Sequence, residues 1–213
     1  MTVRSAEGLK RLLREFRIPE DSETARKMSD YLALLDKWNR RINLTAGTEW
    51  PAVEMLFREA IWISEFYPAN ARRHLDIGSG AGFPAILLRI LVPGIRLEMV
   101  ESRGKKGAFL ETAVHALDLE GARVHSMRLD AFLRQSEDAE SWDCITWKGL
   151  KLSRSDLLRL RVRAHSGTQF WMLHGRAAAA EDPGILESHF ALARKEQFPG
   201  KKEWFLSVYA PGK

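Results

Sequence analysis

The chain has 213 residues, 45% of them hydrophobic, with 33 lysines and arginines against 28 aspartates and glutamates. That suits one sizeable globular domain and excludes a disordered or fibrous protein, while the formal charge of +5 fits an anionic partner such as nucleic acid. No apolar run reaches the eighteen or so residues of a membrane span and the charged N-terminus does not resemble a signal peptide, so a cytoplasmic protein with no membrane association is expected.

Leu9, Leu12, Leu13 and Phe16 recur at helical spacing over residues 6–17, and Pro19 breaks the pattern. A second helix is predicted from Ser22, a candidate cap, with Met28, Tyr31, Leu32, Leu35 and Trp38 on one face. The third runs from Pro51 to Tyr67 through Val53, Leu56, Phe57, Ala60, Ile61 and Phe66. After Arg73 short apolar runs ("HLDIG", "RLEMVES", "RVHSM", "DCITWK", "QFWMLHG") alternate with helix-like stretches, the texture of a parallel sheet wound with helices. The last two runs, "HFALARKEQF" and "EWFLSVYA", have no long helix between them and predict an antiparallel pair. These readings divide the chain into an N-terminal helical cap, residues 1–70, and a sheet domain, residues 71–213. The single cysteine, Cys144, lies in an apolar run and reads as a buried hydrophobe; with no second cysteine, neither a disulfide nor a cysteine-based metal site is expected.

Gly78, Gly80 and Gly82 fall at the first strand-to-helix turn, the usual ligand cradle of a wound parallel sheet. Their G-x-G-x-G spacing differs from the G-x-G-x-x-G of dinucleotide binders, and Asp76, two residues earlier, would oppose a pyrophosphate. A carboxylate there is complementary to S-adenosylmethionine, which carries a sulfonium and an ammonium and no phosphate. Glu101, ending the second predicted strand, is placed to accept both hydroxyls of an adenosine ribose. Asp130, after the third, is read either as an adenine-side residue or as a helix cap.

The segments "KWNRRINLTAG" (37–47), "HLDIGSGAGFPAILL" (74–88) and "VESRGKKGAFL" (100–110) resemble the ribosomal RNA small-subunit methyltransferase G family, also called glucose-inhibited division protein B, over about residues 24–175. The resemblance implies an α/β class I S-adenosylmethionine-dependent methyltransferase fold, Rossmann-like, with a seven-stranded mostly parallel sheet. It implies methylation of guanine N7 in small-subunit (16S) ribosomal RNA, with S-adenosylhomocysteine as product, on naked RNA or an assembled subunit, by a monomer. By position it places Asp76, Gly78, Ser79, Gly80, Gly82, Phe83, Glu101, Ser102, Arg128, Leu129, Asp130 and Lys148 around the donor.

The acceptor side departs from the family pattern. Arg58 is kept, but Glu59 and Trp62 stand where histidine and aspartate are expected, Trp147-Lys148-Gly149 replaces a serine-arginine-alanine element, and His174-Gly175 replaces lysine-glycine. Lys148 keeps the arginine's charge without its planar fork and is the first catalytic candidate, followed by Asn43 and His174. Asn43 has a turn-forming side chain as its alternative, and His174 a structural hydrogen-bonding role. Trp147 reads as a base-stacking residue or as packing under the helical cap. Arg40, Arg41, Arg103, Lys105 and Lys106 form a candidate RNA-binding rim, and the alternating Arg159, Arg161 and Arg163 add charge. Two rival functions stand beside this one: a diverged methyltransferase with another acceptor, and a non-catalytic ribosomal RNA-binding or sensor module.

Overall fold

Three helices precede the first strand: α1 (Val3–Glu15), α2 (Glu23–Asn39) and α3 (Trp50–Ser64). The computed structural model describes residues 3–135, 141–176, 186 and 188–212. Ser22 caps α2 by accepting the Ala25 N–H at 3.1 Å, as its position before the apolar stripe predicts. The third helix begins one residue before the predicted start, with Pro51 in its first turn, and ends three residues early at Ser64.

Strand and helix then alternate as β1 (Arg73–Ile77), α4 (Ala85–Leu91), β2 (Arg96–Val100), α5 (Gly104–Ala116), β3 (Ala122–His125), α6 (Leu129–Gln135), β4 (Cys144–Lys148), α7 (Arg154–Val162) and β5 (Gln169–Gly175). Two further strands, β6 (Phe190–Gln197) and β7 (Trp204–Pro211), complete a seven-stranded sheet in the order β3-β2-β1-β4-β5-β7-β6. The first five are parallel; β7 runs antiparallel to both β5 and β6, the closing pair expected from the last two apolar runs. Strand order reverses between β1 and β4, so the loops after β1 and β4 flank a crevice of the kind in which wound sheets bind ligands.

Side-chain alternation sorts the sheet's two faces. Leu75, Ile77, Ile145, Trp147 and Phe170 pack with Phe132 and Leu133 of α6 and Leu157 and Leu160 of α7. Leu97 and Met99 face the other way, into one continuous core with α4, α5 and the buried faces of α1–α3. Trp147 is therefore buried on the sheet face opposite the helical cap. That corrects the expectation that it packs under the cap: the period-2 alternation that points Thr146 and Lys148 to the cap side points Trp147 away.

The helical segment shares its core with the sheet rather than building one of its own. Tyr31 of α2 is fully buried among Phe57, Phe83 and Phe109, with ring centroids 6.2, 5.3 and 6.4 Å away. Its hydroxyl donates to the Ala81 carbonyl at 2.5 Å, inside the glycine turn. Burial pushes the phenol well above its ordinary pKa, so it stays protonated as a donor. Tyr31→Phe keeps the ring and removes the bond, leaving a buried carbonyl unmet. Urea unfolding is expected to show a loss of about 1–2 kcal/mol, and an unchanged midpoint would deny the bond any part in joining helix and turn.

Candidate active site

The glycine turn is folded by its own backbone. Gly78 N–H donates to Val100 O at 2.8 Å, fastening the end of β1 to β2, and Gly82 N–H donates to Ser79 O at 2.6 Å. The three glycines serve different ends. Gly80, with φ of +59°, has no atom within 3.8 Å of where a side chain would begin, and the Lys106 ammonium is 3.9 Å from that point. Gly82, with φ of +85°, has Ile86 2.6 Å from its missing Cβ, so glycine is required there by core packing against α4. Phe83 belongs to the same buried cluster, while Ser79 is buried and donates its hydroxyl to Asp76 O at 3.1 Å. Over Gly78, the exposed Leu150 places a methyl 3.0 Å from the Cβ position.

Glu101 leaves β2 beside this turn, almost fully buried. One carboxylate oxygen accepts Gly80 N–H and the other Arg103 N–H, both at 2.8 Å. Each oxygen retains a lone pair, so the side chain is oriented by the backbone and still able to accept from a hydroxyl pair. Ser102 is exposed next to it. Arg128 and Asp130 sit together at the start of α6, 3.4 Å apart and solvent-accessible, with Leu129 between them; Asp130 also pairs with Arg134 at 3.2 Å.

Asp76, the penultimate residue of β1, lies on the cap side of the sheet and is only 2% exposed. The adjacent strand supplies its partner: Thr146, its register neighbour on β4, donates to Oδ1 at 2.5 Å. His74 Nε2 lies 2.9 Å from the same threonine oxygen. Because the threonine proton goes to Asp76, the imidazole donates through Nε2, and burial holds it neutral with a pKa lowered to about 3. Burial also raises the Asp76 pKa to about 6, against the hydrogen bonds from Thr146 and Ser79 and the Lys148 charge, which favour the carboxylate. Neither His74 nor Thr146 carries a signal in the sequence beyond lying within a short apolar run.

Lys148, ending β4 on the same face, donates to Glu59 of α3. The Glu59 side chain is 5% exposed and that of Lys148 20%, and the ammonium stands 5.7 Å from the centre of the Trp204 ring. Two of the departures from the family pattern are thus each other's partner. Trp62, a third, packs with Phe66 and Phe198, at 5.3 and 5.2 Å between ring centroids. The retained Arg58 is held by Glu15 at 2.6 Å and Glu54 at 2.9 Å.

Of the other two catalytic expectations, His174 has its ring nitrogens engaged and Asn43 is an exposed loop residue. His174 is buried between β5 and β7, with Nδ1 2.9 Å from Gly175 O and Nε2 2.9 Å from Ser207 Oγ, so both ring nitrogens are engaged within the protein. Asn43 is exposed in the loop after α2. The turn-forming role considered for it belongs to Asn39, whose side-chain oxygen accepts Leu44 N–H at 2.8 Å and Thr45 N–H at 3.0 Å. Asn39 sits in the quoted motif, but only the chain path shows which asparagine turns back on the loop.

Of the basic residues, Arg41, Arg103 and Lys105 are exposed, Lys106 is half-buried, and Arg40 pairs with Asp36 at 3.0 Å. The end of α2 and the body of α5 meet through Trp38 and Phe109, 5.8 Å between ring centroids, which puts the two basic segments on one side of the molecule. The later arginine run does not form such a surface. Arg161 donates to His189 O and Gly212 O at 3.0 and 2.7 Å, and Arg163 to Leu133 O. Among the described residues no group of three histidine, cysteine, aspartate or glutamate side chains is placed to hold a metal.

Breaking the buried ion pair on one side strands a charge. Lys148→Met is expected to lower stability by about 3–5 kcal/mol, whereas adding Glu59→Leu restores most of the loss, because an apolar pair of similar volume replaces a buried ion pair at little cost. Denaturation midpoints of the two single variants and the double variant check this. Additive losses would mean that the two groups do not compensate one another.

The model of the rRNA small subunit methyltransferase G family matches residues 24–199. The ribosomal RNA small subunit methyltransferase G of Roseiflexus castenholzii is 32% identical over 179 residues, covering 82% of this chain and 74% of that protein. The protein of the same name from Wolinella succinogenes is 31% identical over 164 residues, covering 77% and 83%. Among solved structures, the glycopeptide N-methyltransferase MtfA complexed with S-adenosyl-L-methionine superposes with a TM-score of 0.59 at 11% identity, covering 73% of this chain and 94% of that one, a likeness of fold. A wound sheet of seven strands, a glycine turn flanked by two buried carboxylates, and a family match running from the start of α2 through β6 lead to one assignment: the chain belongs to the rRNA small subunit methyltransferase G family.

Proposed function

We propose that the chain is a cytoplasmic, monomeric enzyme that transfers a methyl group from S-adenosylmethionine to N7 of a guanine in small-subunit ribosomal RNA. The observation that carries this reading is the arrangement of Asp76 and Glu101 about an open glycine turn in a chain of this family. The residues fit the donor's chemistry. Glu101 is preset to accept from ribose hydroxyls, Gly80 leaves its face of the turn clear, and the acid at the end of β1 matches a cationic ligand. Ser79, Gly78, Gly82 and Phe83 shape the turn, and Ser102, Arg128, Leu129 and Asp130 are assigned to the adenosine side.

When bound, S-adenosylmethionine supplies an electrophilic methyl group on a positively charged sulfonium. Guanine N7 offers a free lone pair at neutral pH, so the transfer needs no general base. That agrees with a site in which His174 has both nitrogens engaged and His74 is buried and neutral. The chain's work is alignment: the cap helices of residues 1–70 close over the strand ends, Lys148 and Asn43 face the acceptor, and Arg40, Arg41, Arg103, Lys105 and Lys106 hold phosphates.

A second reading, transfer to a different acceptor, is favoured by one observation: the Lys148 charge is engaged by Glu59. Incubation with labelled S-adenosylmethionine and small ribosomal subunits, naked 16S ribosomal RNA or small-molecule extracts, followed by nucleoside analysis, separates the two. Label in 7-methylguanosine is expected. Label in another product establishes the second reading, and absence of turnover despite donor binding establishes a binding module.

Glu101→Ala is expected to weaken donor binding by about 1–3 kcal/mol in calorimetry, the range for a lost charge-assisted hydrogen bond, and equal affinity would remove Glu101 from the donor site. The pH dependence follows from Asp76. With a pKa of about 6 in the free protein, its carboxylate forms between pH 5 and 7. A cationic ligand binds the ionised form better, so donor affinity should rise about tenfold over that interval, with proton release on binding below pH 6. Asp76→Asn should flatten the profile; a slope that survives in this variant assigns the titration to another group.

A further inference from the structure

A recess of about 400 Å³ opens at the other end of the sheet, lined by Arg73, Arg96, Glu98, Gly121 and Arg123. The register sets the four charged residues on one face: Arg73 is opposite Arg96, and Glu98 is opposite Arg123. Arg73 and Arg96 begin β1 and β2, whereas the glycine turn and Glu101 follow the other ends of those strands. The two places are therefore about 17 Å apart, five residues at about 3.3 Å each.

Like charges opposite one another on neighbouring strands destabilise a sheet. Glu98 only partly offsets this, because it is already committed. Its Oε2 accepts from Trp142 Nε1 at 2.6 Å and lies 3.7 Å from Arg73 Nη2, and its Oε1 meets His125 Nε2 at 3.3 Å. Arg96 and Arg123 are exposed and make no ion pair or side-chain hydrogen bond among the described residues. Two guanidinium groups thus face one concavity with their donors unclaimed. Gly121, also in the lining, turns the chain into β3 with φ of +76°, a conformation that favours glycine.

We infer that this recess binds a phosphate of the RNA substrate's backbone, one strand length from the base that is methylated. The inference rests on the proposed RNA substrate. Guanidinium forks match phosphate oxygens in pairs, and such contacts fix the position of a nucleic acid without reading its sequence. The strand β3 is the sheet's edge, so a polymer lying along that edge reaches from Arg123 toward the strand ends that carry the glycine turn. A free nucleotide occupying the recess would touch nothing at that distance.

The test compares the wild-type chain with an Arg96→Gln, Arg123→Gln double variant and with the corresponding double lysine variant. Binding to isolated small ribosomal subunits is measured across a series of salt concentrations. The glutamine variant is expected to bind at least tenfold more weakly, with the slope of log affinity against log salt reduced by roughly 0.7 to 0.9, the counterion release that goes with one neutralised phosphate. Donor affinity stays at the wild-type value, and the lysine variant recovers most of the slope. A wild-type chain that fails to bind the subunit overturns the RNA reading itself. A wild-type chain that binds, matched in affinity and salt slope by the glutamine variant, overturns the recess alone. Inorganic phosphate or pyrophosphate binding that is lost in the glutamine variant, with subunit affinity unchanged, makes it a small-anion site and also overturns the inference.

Discussion

A carboxylate buried at the end of the central strand must be compensated from its immediate surroundings, and much of the site's architecture follows from that requirement at Asp76. The position is 2% exposed, where an isolated charge is costly and the group responds by holding its proton more tightly. Compensation comes across the β1–β4 register, where Thr146 donates to it, and behind that from His74, neutral and pointing its Nε2 proton at the same hydroxyl. The three groups form a polar line within an otherwise apolar layer. A partly offset carboxylate of this kind is a poor stabiliser of the fold and a good partner for a cation, which suits the donor site proposed for it.

The helical segment is tied to the same place. Tyr31 reaches from α2 to a carbonyl of the glycine turn, and the aromatic cluster around it joins α3, the turn's own Phe83 and α5. Any displacement of the cap therefore acts on the turn directly. On the opposite flank, Glu59 and Lys148 join α3 to the end of β4. The cap thus reaches the sheet's functional end through a hydrogen bond beside the proposed donor turn and through an ion pair beside the proposed acceptor side.

That ion pair also gives the departures from the family pattern a physical sense. A glutamate where the family has histidine would be an unpaired buried charge on its own, and a lysine in place of the arginine would lack the planar fork. Together they satisfy each other. The third departure, Trp62, fills an aromatic cluster with Phe66 and Phe198, so each of these three altered side chains has partners of its own.

Much of the architecture was legible in the residues themselves. The helical stripes, the parallel texture after Arg73 and the antiparallel end follow from periodicity and turn chemistry, because burial on one face or two leaves a local record in the chain. Gly78 and Gly80 and the acids around them were legible for the same reason: a turn with positive φ and a strand ending in a carboxylate are local features. Partnerships between distant residues leave no such record. Nothing near Thr146 announces Asp76, nothing near Glu59 announces Lys148, and the roles of Asn39 against Asn43, or of Trp147 against the cap, depend on which way one backbone turns. The sequence by itself determined the elements, the family and the chemistry of the turn, since these rest on short-range order. Only the tertiary structure decided which buried groups compensate one another and which arginines remain unclaimed, since strand register and packing bring together residues seventy or more positions apart.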